Sequence, residues 1–210
     1  SSDLTSLSDS HPKGFGMLQR DGEWDNYLDA EANYHLRPGL WVTPEAGFEK
    51  GRLEVVEIPT NSEIHDNIVA FWTPEKPFVS GESLYFSYNL STVEQNPFVS
   101  ELASVVRTRQ GAAVLPGDEF EDASLNTTRQ FSIDFSAPSG FSFNSDTTKL
   151  IVQASNGQVS KQRMHPVADG AEIRATFFLK PKEKQTVDMR AYIEQDGKRI
   201  SEVWNYVYQP

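Results

Sequence analysis

The chain has 210 residues, of which 38% are hydrophobic and 11% aromatic, so it can bury a core and does not have the composition of a disordered chain. Its formal net charge of -11 argues against nucleic acid and anionic membranes as partners, because both select basic surfaces. The absence of cysteine excludes disulfides and thiolate metal sites. No apolar run reaches the roughly 20 residues that a membrane-spanning helix needs.

The acidic residues are concentrated in the first half of the chain. Residues 1–98 hold 16 Asp and Glu against 6 Lys and Arg, whereas residues 99–210 hold 14 against 13. The charge balance changes beside the polar stretch 91–95, which Asn96-Pro97 interrupts. We therefore predict two domains, 1–95 and 96–210.

In the first domain, short apolar runs between turn residues predict strands. A helical turn is predicted within 23–32, and Arg37 is predicted to be extended because a proline follows it. The predicted strands are 51–58, 67–72 and 83–90. Leu53 and Val55 lie on one face of the first strand and Val56 lies on the other, which is typical of burial on both faces. Three or four strands cannot close a sandwich, so we expect the missing strands to lie upstream.

The second domain contains seven short runs at the spacing of a β-sandwich. The predicted strands are 103–109, 128–135, 149–154, 159–164, 171–179, 186–194 and 199–208. Asn156-Gly157 and Asp196-Gly197 predict two-residue hairpin turns, and 117–127 reads as a longer acidic loop. The predicted fold class is all-β, with an immunoglobulin-like second domain that lacks the disulfide of antibody domains.

Three carboxylates, Glu57, Glu63 and Asp66, lie around the turn between the first two predicted strands. Asp66 comes just before an apolar run that ends in Phe71 and Trp72, so we expect it to be partly desolvated. Desolvation favours the neutral carboxyl that a general acid needs. The alternative is a turn residue that bonds its own backbone, and spacing alone favours that alternative.

Aromatic and charged side chains crowd the first domain, and together they suit a sugar, which offers C–H faces for stacking and hydroxyls for hydrogen bonding. From this chemistry we predict sugar contacts from Tyr27, Arg37 and Trp41. The alternative for such rings is an ordinary core position. The four histidines are far apart in sequence and no phosphate-binding loop is present, so neither a metal nor a cofactor is predicted.

Several motifs resemble the osmoregulated periplasmic glucan biosynthesis proteins, the family of glucan biosynthesis proteins G and D. The most specific are the Gly-Phe-Gly motif that begins at Gly14 and the Asp-Asn-Ile-Val-Ala motif that begins at Asp66. Further matching segments are 34–38, 41–44, 50–51 and 56–60. Looser matches at 107–109, 133–135, 188–191 and 201–206 extend the resemblance over the second half.

The resemblance implies that residues 1–95 are the last part of a galactose-mutarotase-like β-sandwich and that an immunoglobulin-like domain follows. It also implies a location in the Gram-negative periplasm and inverting hydrolysis of a β-1,2-linked glucan backbone. The general acid of the family is the aspartate of the Asp-Asn-Ile-Val-Ala motif, which falls on Asp66. The general base of the family lies well upstream and matches no residue here, so we expect this chain alone to be inactive.

The chain departs from the family at Phe48-Glu49, where many members have a tryptophan, and at His65, which is often asparagine. Two functions stay open. One is hydrolysis of β-1,2-glucan by the full-length parent. The other is a non-catalytic glucan-binding or scaffold protein that docks membrane glucosyltransferase machinery through its immunoglobulin-like domain. A homodimer also stays open.

Overall fold

The computed structural model of the chain describes residues 11–58, 60–62, 64–94, 96–97, 101–114, 127–137, 140–182 and 185–210, together with the backbone course of 3–9. The chain divides into two compact units, Ser1–Phe98 (unit 1) and Val99–Pro210 (unit 2). Gln95, at the predicted domain boundary, lies outside the described residues, and the predicted bounds stay a prediction. The regular elements of the described residues are strands and short 3-10 helices, so the all-β prediction is confirmed.

Unit 1 has six strands among its described residues, arranged in two antiparallel sheets. The strands are β1 (Asp3–Asp9), β2 (Phe15–Met17), β3 (Gly39–Ala46), β4 (Gly51–Glu57), β5 (Ile68–Pro74) and β6 (Ser87–Val93). One sheet has the order β1-β4-β5 and the other has the order β2-β3-β6. Two 3-10 helices, Trp24–Asn26 and Tyr34–Leu36, lie between β2 and β3.

The predicted strands of the first half are only part of what the structure contains. Strands β4 and β5 confirm the predictions at 51–58 and 67–72, whereas the predicted strand at 83–90 begins only at Ser87. Strands β1, β2 and β3 were not predicted. Strand β2 has three residues, too few for a period-2 pattern, and β3 contains Pro44, which is atypical of a strand interior.

Phe48 is the buried centre of unit 1. It lies in the turn between β3 and β4, and it is the one buried large apolar side chain among the described residues of this unit. Its ring contacts Phe15 of β2, Trp72 of β5, Tyr88 of β6 and Phe86 just before β6, at centroid distances from 5.6 to 6.4 Å. The two sheets of unit 1 are therefore joined through one group of aromatic rings.

Much of the apolar surface of unit 1 is exposed. On β5, Ile68 is 45% exposed on one face and Val69 is 43% exposed on the other. On β4, Val55 and Val56 are half-buried rather than buried on both faces as predicted. The described side chains provide no layer that covers these positions. The pattern of a two-sided buried strand is thus present in sequence but is only partly realised in the packing.

Unit 2 forms a β-sandwich of two antiparallel sheets. Its described residues include β7 (Val105–Ala112), β8 (Arg129–Ser136), β9 (Thr148–Ala154), β10 (Gln158–Val167), β11 (Glu172–Lys180), β12 (Val187–Gln195), β13 (Lys198–Arg199) and β14 (Trp204–Tyr208). The first sheet has the order β10-β11-β8-β7. In the second sheet β12 pairs with β9 on one side and with β13 and β14 on the other.

The two predicted hairpin turns of unit 2 have different outcomes. Asp196-Gly197 joins β12 to β13 with both φ angles positive, 51° and 76°, and the hairpin prediction is confirmed. Asn156-Gly157 is not a hairpin turn, because β9 pairs with β12 whereas β10 pairs with β11. The side chain of Asn156 instead forms hydrogen bonds with the backbone of Lys182 and Thr186, so this turn carries the chain from one sheet to the other.

Two other predictions for unit 2 have separate outcomes. The predicted strand 199–208 is split into β13 and β14. The predicted acidic loop lies outside the described residues except for Thr127.

The core of unit 2 follows from strand alternation. Phe131 of β8 and Phe177 of β11 are paired neighbours whose rings stack at 5.3 Å, and Trp204 of the other sheet meets both rings at 6.1 Å. The indole N–H of Trp204 donates to the hydroxyl of Thr108 at 2.9 Å, which ties β14 to β7 across the sandwich. Alternate residues of both sheets thus fill one shared core.

The outer face of the first sheet of unit 2 contains a buried carboxylate, that of Asp134, which is 1% exposed and binds several arginine side chains. Arg174 donates two hydrogen bonds to it, at 2.7 and 2.9 Å, and Arg107 donates a third at 3.3 Å. Arg109 lies 3.6 Å away. The bonds from Arg174 are the main cause that holds the pKa of Asp134 below its ordinary value of 3.8, against the opposing effect of burial.

We expect Asp134→Asn to lower the free energy of unfolding of unit 2 by about 2 kcal/mol, because the hydrogen bonds that it accepts come from charged groups. Hydrogen exchange of the slowest amides of β8 and β11 measures this loss. Glu172→Gln is the control, since Glu172 is less buried than Asp134 and forms an ion pair with the half-exposed Arg107, so its loss should cost less than about 1 kcal/mol.

The same carboxylate predicts a pH dependence. A pKa that folding lowers gives stability that is present above the unfolded value and is lost as pH falls through the folded value. The original protein should therefore lose stability below about pH 4, where Asp134→Asn should change less. Equal slopes for the two proteins in that range would contradict this role for Asp134.

Candidate functional site

Asp66 lies in the turn that joins β4 to β5. The two strands pair up to Glu57 and Ile68, and the N–H of Ile58 then donates to the carbonyl of Asn67 at 2.7 Å. The ladder therefore continues to the residue that directly follows Asp66. Because the backbone of Asn67 is held in this way, the sheet determines where the turn leaves Asp66.

The side chain of Thr60 closes this turn through hydrogen bonds to two other turn residues. Its hydroxyl is 2.9 Å from Nδ1 of His65 and accepts the N–H of Ser62 at 3.2 Å. The N–H of His65 in turn donates to the carbonyl of Ser62 at 3.2 Å. His65, one of the two positions expected to depart from the family pattern, thus has a structural role in this turn.

The carboxylate of Asp66 is exposed. Within the described part of the chain it makes no hydrogen bond and no ion pair, so the alternative of an aspartate that bonds its own turn is not observed there. Glu63, the third member of the predicted carboxylate cluster, lies outside the described residues, and Glu57 is exposed at the end of β4. Asp66 is a carboxylate presented to solvent on a turn that other groups close.

The predicted desolvation of Asp66 is wrong for this chain. The aromatic residues that were expected to desolvate it lie at the other end of β5, where Trp72 pairs with Leu53 and packs on Phe48. Ile68 and Trp72 are separated by roughly 13 Å along the strand. Closeness in sequence did not become closeness in space, because a strand is extended.

Tyr27 and Arg37, two of the three predicted sugar contacts, meet at Tyr34. The rings of Tyr27 and Tyr34 stack with centroids 6.1 Å apart, and the guanidinium carbon of Arg37 is 4.3 Å from the centre of the Tyr34 ring. The cause is local, because Tyr34–Leu36 is a 3-10 helix and residues three apart on such a helix eclipse each other. Arg37 ends that helix with φ -72° and ψ 124°, which confirms its predicted extended backbone.

The hydroxyl of Tyr27 is held by its neighbours. It donates to the carbonyl of Asp21 at 2.5 Å and accepts a bond from the side-chain amide of Gln19 at 2.6 Å. Trp24–Asn26, within the predicted helical turn at 23–32, is the 3-10 helix that leads into this tyrosine. Sequence reasoning missed Gln19 and Tyr34 as partners, although the spacing of three between Tyr34 and Arg37 was the available signal.

The positive charge of Arg37 acts on a neighbouring turn. The backbone N–H groups of Ala32 and then Glu31 hold the pKa of Asp29 below its usual value, and Arg37 adds a smaller effect in the same direction. Both N–H groups donate to one oxygen of Asp29, at 3.0 and 2.7 Å. Arg37 itself is exposed, so its guanidinium can reach a ligand from above the Tyr34 ring.

Trp41, the third predicted contact, is half-buried on β3. Its indole covers Gly14, where an added Cβ would come within 2.4 Å of the indole nitrogen. At Gly16 a Cβ would lie 2.0 Å from the carbonyl oxygen of Leu40. The Gly-Phe-Gly motif thus has a packing reason, since two close approaches flank Phe15, which packs on Phe48.

The structure brings together some of the candidate residues and not others. Tyr27 and Arg37 share Tyr34, whereas no hydrogen bond, ion pair or ring contact among the described residues joins Asp66 to either of them. In the described part of the chain, no group of three or more His, Asp or Glu side chains could hold a metal ion. No helix in the same part is long and apolar enough to cross a membrane.

Comparison with known proteins gives one consistent result. A family model described as periplasmic glucan biosynthesis protein, MdoG, matches residues 1–208. The chain is 36% identical over 98% of its length to glucans biosynthesis protein D 2 of Ralstonia nicotianae. It is 37% identical over 99% of its length to a probable glucans biosynthesis protein D of Shewanella oneidensis. In both cases it spans 38% of the length of the relative.

We expect Thr60→Val to loosen the turn that carries Asp66. Loss of the hydroxyl removes an acceptor of the Ser62 N–H, and one such bond is worth about 1 kcal/mol, so the Ser62 amide should exchange about fivefold faster. Hydrogen exchange followed by NMR measures this rate. Thr43→Val on β3 is the control, because its hydroxyl has no partner among the described residues. An unchanged rate in Thr60→Val would show that other contacts close the turn.

Proposed function

The chain belongs to the MdoG family of periplasmic glucan biosynthesis proteins, and from this membership we propose that its full-length parent hydrolyses the β-1,2-linked backbone of a glucan in the periplasm. The proposed reaction inverts the configuration at the anomeric carbon, and Asp66 is its general acid. The observation that carries the proposal is the position of Asp66, whose exposed carboxylate has no partner among the described residues of a turn that Thr60 and His65 close.

The proposed role of Asp66 follows from the chemistry of glycoside cleavage. A general acid must protonate the leaving oxygen, so its carboxyl must be free of competing bonds and reachable by the substrate. Asp66 meets both conditions in the described chain. The desolvation that favours the protonated form then comes from the bound glucan and from parts of the parent beyond these residues.

An inverting enzyme also needs a general base that activates a water molecule on the opposite side of the sugar. The chain spans 38% of the length of its relatives, and we propose that the base comes from the remainder of the parent. The same remainder would cover the apolar positions that β5 exposes, such as Ile68 and Val69. This supports the proposal that unit 1 is part of a larger, galactose-mutarotase-like sandwich.

Tyr27, Arg37 and Trp41 are the proposed sugar contacts. The guanidinium above Tyr34 can donate paired hydrogen bonds to neighbouring hydroxyls, and the two tyrosine rings offer faces for the C–H groups of a pyranose. Trp41 is half-buried and adds one ring from β3. None of these three roles requires a metal or a cofactor.

A second candidate function is a glucan-binding scaffold that docks the membrane glucosyltransferase machinery through unit 2. One observation favours it. With β7 to β12 and β14 labelled A to G in chain order, the sheets of unit 2 become A-B-E-D and C-F-G, the strand order of immunoglobulin constant domains. We therefore propose an immunoglobulin-like fold for unit 2, a fold that many binding proteins share.

We expect Asp66→Asn in the full-length parent to reduce the release of reducing sugar from linear β-1,2-glucan by at least about a hundredfold, the contribution of a general acid. Glu75→Gln is the matched control, because Glu75 is an exposed carboxylate at the opposite end of β5. Equal release by the parent and Asp66→Asn would refute the assignment of the acid. No release by the parent itself would favour the scaffold function.

We expect Arg37→Ala in the full-length parent to raise the dissociation constant for β-1,2-gluco-oligosaccharides about tenfold, since one charge-assisted contact is worth about 1.4 kcal/mol or more. Isothermal titration calorimetry measures the constant. Lys13→Ala removes another exposed cation of unit 1 and should leave it unchanged. Equal affinity in Arg37→Ala would place the sugar away from the Tyr34 ring.

A further inference from the structure

The outer face of the second sheet of unit 2 carries an open groove that the proposed hydrolysis does not use. Its volume is about 540 Å³, within the range of ligand sites, which is about 300–1,000 Å³. The side chains that line it are mostly polar and come from β9, β12, β13 and the segment before β14. They are Gln153, Arg190, Tyr192, Glu194, Arg199 and Val203.

Strand alternation in β12 places the groove side chains on the face away from the core. Ala191 and Ile193 are fully buried in the core, so Arg190, Tyr192 and Glu194 lie on the opposite face. Arg190 and Glu194 lie about 13 Å apart along the strand, with Tyr192 midway between them. This spacing fits more than one sugar ring.

The strands on both sides of β12 add polar side chains next to those of Arg190, Tyr192 and Glu194. The register sets Gln153 of β9 beside Arg190 and sets Arg199 of β13 beside Glu194. The tight Asp196-Gly197 turn fixes Arg199, because it closes the β12–β13 hairpin directly after Gln195. The strands and the two-residue turn therefore fix the backbone positions from which these side chains extend.

The charged side chains of the groove form no ion pairs with one another in the described structure. Glu194 and Arg199 are cross-strand neighbours of opposite charge, yet no ion pair within 4.0 Å joins them in the described structure. Arg190, Tyr192 and Gln153 likewise have no side-chain hydrogen bond to any described residue. The other sheet of unit 2 shows the opposite behaviour, since its carboxylate Asp134 is bonded by arginines.

We propose that this groove binds a segment of glucan, so that unit 2 contributes a sugar site of its own in addition to the site that carries Asp66. The phenol ring of Tyr192 supplies a half-buried face for the C–H groups of a pyranose. The guanidinium of Arg190 and the amide of Gln153 supply donors for hydroxyls, and Glu194 supplies an acceptor. The identity of the sugar as a glucan rests on the proposed function.

The mixture of groups favours a neutral sugar over an anion. A simple anion needs only donors, and the carboxylate of Glu194 among the groove side chains would repel it. A polyol donates and accepts through each hydroxyl, so it can satisfy both the arginines and the glutamate. Val203 and the ring of Tyr192 provide the apolar part that such sites combine with a few polar groups.

The test is an NMR titration of the ¹⁵N-labelled 210-residue chain with linear β-1,2-gluco-oligosaccharides. We expect the backbone amides of Arg190, Tyr192, Glu194 and Gln153 to shift, and we expect Arg190→Ala and Arg199→Ala each to weaken this binding at least tenfold. Arg163→Ala is the matched control, because Arg163 is an exposed arginine of unit 2 on the other sheet. It should bind as the original chain does.

Three results would overturn the proposal. The first is that the amides of β12 do not shift, and the second is that their shifts persist unchanged in both arginine variants. The third is that a sulfated oligosaccharide shifts these amides while the neutral glucan does not. The last result would identify an anion site. The outcome is separate from that of the proposed hydrolysis. Asp66→Asn should keep the β12 shifts, and an inactive full-length parent whose groove still binds glucan would refute the hydrolase function alone.

Discussion

The side chain of Phe48 is the contact on which unit 1 depends. Its ring touches residues of β2, β5 and β6, and without it the described residues contain no buried large side chain that joins the two sheets. The turn with Asp66 extends from one of these sheets, whereas Tyr27, Arg37 and Trp41 belong to the other or to the segment before it. This aromatic group therefore links the sheet that leads to the candidate acid with the sheet that carries Trp41. The expected departure from the family at Phe48-Glu49 falls on this packing centre.

The two outer faces of unit 2 illustrate two uses of charge on a sheet. On the first sheet, Arg174 and neighbouring arginines bind the carboxylate of Asp134 through hydrogen bonds and ion pairs. The opposite charges on this face therefore compensate each other. On the second sheet, Glu194 and Arg199 are neighbours in the strand register, but their side chains form no ion pair. Both arrangements place charges on strands, so composition alone does not separate them. The difference lies in whether the side chains converge on one buried atom or line an open groove.

The candidate site was predictable to the extent that it is local. The motif at Asp66 predicted the candidate carboxylate, and the structure adds that its turn is closed by Thr60 and His65 rather than by the aspartate itself. The spacing of Tyr34 and Arg37 within a single helical turn made their contact accessible from sequence. The exposure of Asp66 was not accessible from sequence, because β5 carries Trp72 away from the turn. The groove on β12 was also missed, since it combines residues from strands far apart in the chain.

Sequence alone determined the all-β class, most of the strands of unit 2 and the Asp196-Gly197 hairpin, because alternation and turn chemistry act between residues that are close in the chain. It also identified the family, because its motifs resemble those of the family in order and spacing. Only the tertiary structure decided which of the other strands pair. Asn156-Gly157 has the sequence of a hairpin turn, yet β9 and β10 lie in different sheets, because the partners of each strand come from distant segments. Side-chain burial was decided at the same level. Ile68 and Val69 of β5 are exposed on opposite faces, since burial depends on what packs over a strand and not on the strand itself.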